Sequence, residues 1–218
     1  MAIIDKMELQ LRPPSMEHAP YPAKYITLAT GEKMVVRPAE REEIPLLMET
    51  IEPLMKQPKD FYDIVASRIY AELLGHYRYR VKDEYVFVGA INGVIAGIVN
   101  GRLVDEKTGM SYHTITLKRG LRVGAQLFAA KMEYHFMLGQ EEVYIVAESP
   151  FGFKRWMIEY ELISRPEVQH ELGGVPTYVL TKELWEKHKG LKNTGRRPVP
   201  EELMEKNAKL IKPEKISV

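Results

Sequence analysis

The chain has 218 residues, 45% hydrophobic and 28% charged, with a formal net charge of +1. That length holds one good-sized core with appended segments; the near-neutral balance offers no global field for nucleic acid or an anionic surface, and no apolar run is long enough to cross a bilayer. With no cysteine, disulfides, a thiolate nucleophile and a cysteine-based zinc site are excluded.

In chain order, residues 1–24 carry four prolines and little periodicity and read as an extended N-terminal arm. Their first residues lack the basic-then-apolar order of a secretory signal, so a cytoplasmic location is expected. Tyr25–Leu28 and Met34–Arg37 alternate about Thr30-Gly31, which predicts a hairpin. After Pro38, the acidic first turn of Glu40, Glu42 and Glu43 opens a helix. A second helix is expected over about residues 60–75, burying Ile64, Ile69, Leu73 and Leu74. The stretch to Arg80 is aromatic and basic; it suits a substrate wall, a dimer contact or amphipathic packing.

A second hairpin runs through Tyr85–Ile91 and Val94–Val99, with Asn92-Gly93 as a type I′ turn. Residues 112–117 are β-branched and aromatic and predict a strand. From Val123, Leu127, Ala130, Tyr134 and Met137 or Leu138 recur at helical spacing. Val143–Ala147 is an apolar strand of the kind found at a sheet centre. Ser149-Pro150 opens a helix reaching residue 161, with Ser as N-cap and Pro in the first turn. Two strands, about 163–170 and 176–182, are joined at Gly173-Gly174. The order β-β-α-α-β-β-β-α-β-α-β-β predicts an α+β sheet with helices on both faces. The chain divides into the arm 1–24, a domain 25–184 and a basic tail 185–218, with a short amphipathic helix from Glu201 to Ile211.

The turn from Lys118 through Arg119, Gly120, Leu121, Arg122 and Val123 to Gly124 lies between a strand and a helix. Glycine lets backbone approach closely, the first helix amides lack internal partners, and arginines add charge-assisted bonds to phosphate oxygens. The turn is therefore either an anion site or a purely structural connection. It lacks the spacing of a P-loop or a dinucleotide fingerprint.

From about Lys33 to Lys182 the chain resembles the GCN5-related N-acetyltransferase (GNAT) superfamily. The segment from Met34 to Ile44 is similar to that family's first strand and helix, and Asn92-Gly93 stands where the family has a hairpin. Arg119 to Gly124 resembles its acetyl-CoA signature, Q/R-x-x-G-x-G/A, and the Ser-Pro helix start and closing strands follow in order. The resemblance implies a mixed sheet of six to seven strands, here with an extra N-terminal strand. It implies an acyl-CoA-dependent N-acyltransferase using acetyl-CoA, with direct transfer to an amine and no acyl-enzyme. The amides of Leu121 through Ala125, including Val123 and Gly124, would hold the pyrophosphate with Arg119, Gly120 and Arg122. The pantetheine would lie between strands ending near Leu117 and Ala147, beside Ser149, with a strand amide near Leu117 facing the thioester carbonyl. The chain departs from the pattern at Arg122, where the signature has glycine, and at Trp156, where the family often has an acidic tyrosine.

Individual residues keep two readings. His113 is a base or a packed strand histidine. Glu148 is a base or a helix N-terminal acid. Tyr160, one turn beyond Trp156, is the general acid or a core residue, and Trp156 packs on the channel or in the core. The six histidines lack H-x-x-x-H and H-E-x-x-H spacing, so no metal is expected. The expected partner is an amine-bearing small molecule or protein, with a homodimer, no membrane and no nucleic acid. The alternatives are a non-catalytic acyl-CoA-binding or regulatory protein on the same fold, and an interaction module without a CoA site.

Overall fold

The computed structural model describes residues 18–81 and 83–216, together with residues 6, 7, 10 and 11. Most of the expected N-terminal arm therefore lies outside the described residues. The strands are β1 (Lys24–Thr27), β2 (Lys33–Pro38), β3 (Glu84–Ile91), β4 (Val94–Leu103), β5 (Thr108–Thr116), β6 (Glu142–Ile145), β7 (Ile163–Ser164) and β8 (Tyr178–Thr181). The principal helices are α1 (Ile44–Ile51), α2 (Tyr62–Tyr77), α3 (Val123–Met137), α4 (Pro150–Gly152, continued by a π-helical turn Phe153–Ile158), α5 (Lys182–Lys192) and α6 (Glu201–Ala208).

The eight strands form one sheet in the order β1-β2-β3-β4-β5-β6-β8-β7. Neighbours are antiparallel except β5 and β6, which run parallel because α3 carries the chain across between them. The β3–β4 hairpin turns at Asn92 (φ 50°) and Gly93 (φ 83°), the two positive φ angles a type I′ turn requires. One sheet face buries Val86, Val88 and Ile98 under Leu47, Ile51, Ile69 and Leu73 of α1 and α2. The other buries Met34, Phe87 and Val99 under Leu127, Ala130 and Tyr134 of α3. Removing this apolar surface from water is the main force holding the layers.

Four expectations need correction. In α2 the inward stripe is Tyr62, Ala66, Ile69 and Leu73, whereas Ile64 and Leu74 are exposed: the helix starts at Tyr62, and that phase turns them outward. The expected strand 163–170 shrinks to Ile163–Ser164. Pro166 has no N–H to donate, and the Arg165 amide turns to the Thr177 carbonyl at 2.8 Å. A further helix, α5, begins where the tail was expected; Thr181 caps it and Trp185 is buried against the α3 side. The trailing segment is also built into the fold. Gly93 N donates to Asn207 Oδ1 at 2.9 Å, Arg37 donates to the Asn207 carbonyl at 3.2 Å, and Ile95 N donates to the Ile211 carbonyl at 3.0 Å. On the opposite side the buried Lys24 ammonium meets Glu133 at 2.9 Å and also Asn193, and Arg197 grips Glu133 at 3.0 and 2.9 Å.

Candidate active site

The parallel ladder runs from Thr108 opposite Glu142 to Ser111 opposite Ile145 and stops there. β5 continues to Thr116, while Val146 and Ala147 carry the other strand away toward α4. Ser149 fixes that departure, its hydroxyl accepting from Gly152 N at 3.0 Å. The gap opens a cleft of about 330 Å³, lined at its outer end by Arg119, Gly120, Arg122, Gly124 and Ala125 and further in by Thr114 and Trp156.

The outer end is the basic turn. Arg122 is the N-cap of α3 in a left-handed conformation (φ 61°, ψ 21°) and offers no side-chain cap, so the helix's first amides stay open to the cleft. Although it replaces a signature glycine, it takes a glycine-like backbone conformation. Gly124 is forced by close approach, since a Cβ there would stand 2.5 Å from Thr116 Oγ1. Arg119 faces the cleft with its guanidinium 5.0 Å from the Tyr62 ring centre and 2.6 Å from Asp60 Oδ2. Leu117 and Leu121 do not line the cleft. The Leu117 side chain is buried and its amide donates to the Ala96 carbonyl at 2.8 Å, so it is no oxyanion donor; Leu121 packs against the α3 core. Arg155 of α4, which sequence reasoning missed, also lines the outer end.

The inner end holds a chain of charged groups. His113 on β5 is 3% exposed. Its Nε2 lies 3.0 Å from Glu72 Oε1 on α2, and its Nδ1 lies 3.1 Å from Glu148 Oε2 just past β6. Burial opposes charge on the ring, but the Glu148 and Glu72 contacts outweigh it and hold the His113 pKa above the usual histidine range. Burial likewise opposes charge on Glu148. Its bond to His113 and the Arg68 guanidinium beside it prevail, and its carboxyl sits below the usual range.

A bulge in the β4–β5 register between Val99 and Gly101 turns Asn100 inward. Its amide donates to Glu72 Oε2 at 2.5 Å and Glu84 Oε1 at 3.1 Å, and its oxygen accepts from His113 N at 3.1 Å. Burial first, moderated by Asn100, pushes the Glu84 carboxyl up to about 8. Beneath β4 and β5 the fully buried Lys131 ammonium of α3 donates to the carbonyls of His113 at 3.0 Å and Asn100 at 3.3 Å. Burial brings it down to about 7. Neither Glu72 nor Lys131 was singled out from sequence. The available signals were the i,i+4 pair Arg68 and Glu72, and a lysine four residues after Leu127 on an apolar helix face.

Tyr160 is corrected. It is 2% exposed in the core between Phe128 and Trp185 and lines neither the outer nor the inner cleft. The π-helical turn takes an extra residue per turn, which rotates the following residues out of α-helical phase. Trp156, not Tyr160, turns its ring to the cleft, stacked on Phe128 at 4.1 Å.

The donor set suits a CoA: open helix amides and arginines for phosphate, a helix start held so close to β5 that a Cβ at Gly124 would meet Thr116, and an unladdered strand edge for pantetheine amides. Among the described residues no group of three or more His, Cys, Asp or Glu is arranged to hold a metal ion, and no helix is long and apolar enough to cross a membrane.

No family model and no curated protein matches the sequence. Solved structures do match its fold. An uncharacterized protein from Bacillus halodurans aligns with TM-score 0.58 at 13% identity, over 79% of this chain and 96% of that one. RimJ of Mycobacterium smegmatis, solved in complex with CoA-disulfide, aligns with TM-score 0.56 at 9% identity, over 83% and 100%. The GNAT domain of PAT from S. lividans aligns with TM-score 0.54 at 13% identity, over 76% and 99%. At such identities the likeness is one of architecture, and by architecture this chain has the GNAT fold.

Proposed function

We propose that the protein is an acyl-CoA-dependent N-acyltransferase, with acetyl-CoA as donor and an amine on a small molecule or protein as acceptor. The observation that carries this reading is His113 between the carboxylates of Glu72 and Glu148, at the inner end of a cleft whose outer end is an open helix N-terminus flanked by Arg119 and Arg122.

The α3 amides and the two arginines bind phosphate and fix the outer end of the donor. CoA, when bound, would supply a thioester whose carbonyl carbon the amine attacks, the C–S bond breaking as the amide forms and CoA leaving as a thiolate that takes its proton from solvent. Glu148 lines the inner cavity and accepts the amine proton. The proton moves on to His113 Nδ1 while Glu72 holds Nε2, an orienting role like that of the carboxylate in a catalytic triad. The relay requires a neutral imidazole. Phe128 and Trp156 give the inner cleft an apolar wall beside these charged groups.

Tyr160, sealed in the core, supports a second reading in which the protein binds acyl-CoA without transferring the group. The two readings separate in one series. Thermal unfolding is followed with CoA and acetyl-CoA, then thiol release from acetyl-CoA is followed across a panel of primary amines. Ligand at about 100 times its Kd stabilises by about 2.7 kcal/mol. Stabilisation removed by Arg119→Ala plus Arg122→Ala, with amine-dependent thiol release removed by His113→Ala, supports transfer. Stabilisation without release from any amine supports the second reading, and no stabilisation by either ligand sinks both. The proposal includes a cytoplasmic setting. It also includes a homodimer, supported by the exposed Phe61, Ile64 and Leu74 side chains and testable by sedimentation.

A further inference from the structure

One anion already stands in the anion site. Asp60 lines the outer cleft together with Arg119 and Arg122, and its Oδ2 lies 2.6 Å from the Arg119 guanidinium. The contact is one of charge without hydrogen-bond alignment, since that same buried oxygen has no aligned donor. Arg119 is otherwise held by the Tyr62 hydroxyl at 3.3 Å and by the rings of Tyr62 and Phe151, at 5.0 and 5.7 Å. The guanidinium is thus preplaced by aromatic groups, and its charge is met by an acid on a separate segment.

That segment is strained. Asp60 (φ 55°, ψ 31°) and Phe61 (φ 61°, ψ 24°) are consecutive left-handed residues, and neither is glycine. Such a conformation persists only where the surroundings over-determine it. The Asp60–Arg119 contact is a restraint of that kind at the start of α2. A phosphate offers Arg119 aligned, paired acceptors, which a misaligned carboxylate does not. It also repels a carboxylate in the same partly desolvated space.

We infer that Asp60 is an internal stand-in for phosphate, a latch that lowers the affinity of the cleft for anionic ligands and is displaced from Arg119 when one binds. The inference rests on the acyl-CoA reading for the identity of the ligand but not for the existence of the latch. A carboxylate that merely oriented Arg119 would raise affinity, so the two roles have opposite signs.

The test is titration calorimetry of wild type, Asp60→Asn, Arg119→Ala and the double variant, with CoA and separately with inorganic pyrophosphate. Asp60→Gly serves as a second probe, since glycine removes the acid and accepts the left-handed backbone. The latch predicts that both Asp60 variants bind CoA and pyrophosphate about fivefold or more tighter than wild type. It also predicts that most of the gain vanishes when Arg119 is Ala. Unchanged or weaker binding in the Asp60 variants overturns it, as does failure of both anions to bind them. Pyrophosphate binding that tightens in the variants while CoA binds none of the proteins would uphold the latch and overturn the acyl-CoA reading.

Discussion

His113 and Glu72 meet at 3.0 Å, Nε2 to Oε1, across the boundary between sheet and helix layer. The contact is local to neither partner's element. It depends on the β4 bulge that turns Asn100 toward Glu72 and on the α2 phase that leaves Glu72 beside the buried stripe.

This pairing sets a pH dependence. With the His113 pKa held above the usual range near 6.5, kcat/KM for acyl transfer should fall as pH drops through that raised value, because the protonated ring cannot accept. Glu72→Gln removes one of the two carboxylates that raise it, so the acid limb should move to lower pH. For folding the sign is opposite. A raised histidine pKa contributes stability that is fully present below about 6.5 and is lost as pH rises through the folded value. A pH–rate profile and an imidazole NMR titration of wild type and Glu72→Gln check both; an unmoved acid limb would show that Glu72 is only a packing partner.

Substitution at Gly124 and at Arg122 should weaken CoA binding for different physical reasons. Gly124→Ala drives a Cβ to 2.5 Å from Thr116 Oγ1 and should abolish CoA-dependent stabilisation, with recovery in the double variant carrying Thr116→Ala. Arg122→Gly relieves a left-handed arginine, so the fold should gain about 1 kcal/mol while CoA binding weakens through loss of the cation. Denaturant unfolding with and without CoA measures both effects.

The sequence announces features whose cause is local. Asn92-Gly93 needs only its own φ angles, Ser149-Pro150 only its own cap, and the basic turn before α3 only an adjacent strand and helix. His113 and Glu148 could be named because His113 lies on the strand that leads into the basic turn and Glu148 just past the short apolar strand β6. Glu72, Asn100, Lys131 and Asp60 could not, because each acquires its role from a partner far along the chain or from a bulge or strained turn that no periodicity reports. Of its two readings Tyr160 takes the core one, because a π-helical turn changes the phase of its helix without a composition signal. Leu117 is lost as an oxyanion donor because β4 claims its amide, which donates to the Ala96 carbonyl, a pairing between strands that no local signal reports.

Glu133 should be a structural keystone. It binds Arg197 through both oxygens, the buried Lys24 at 2.9 Å and the Tyr21 hydroxyl at 2.5 Å, joining the leading and trailing segments to α3. Burial alone would raise its pKa, but these partners hold it well below the usual carboxylate range. Its contribution is therefore present above the unfolded value near 4.5 and is lost as pH falls below it. Glu133→Gln leaves the Lys24 charge buried beside a neutral amide and should destabilise by about 3 kcal/mol or more at pH 7, with a smaller difference at low pH. Equal denaturation midpoints for the two proteins at neutral pH would remove this role.

Lys131 gives the complementary case of a buried base. Its ammonium is fully buried on two backbone carbonyls, and burial brings its pKa from 10.5 to about 7. Between those values the unfolded chain binds a proton that the folded one does not, so stability rises with pH across that window. Below about 7 both states are protonated and the desolvation penalty is carried in full. Lys131→Met deletes the titration, fits an apolar neighbourhood beside Phe128, and gives up two hydrogen bonds to carbonyls. The stability of wild type relative to Lys131→Met should therefore be lowest near pH 6 and climb by a few kcal/mol toward pH 10. Urea unfolding of the pair at pH 6, 8 and 9.5 reads the difference directly, and a pH-independent gap would mean that the Lys131 ammonium stays charged in the folded protein throughout.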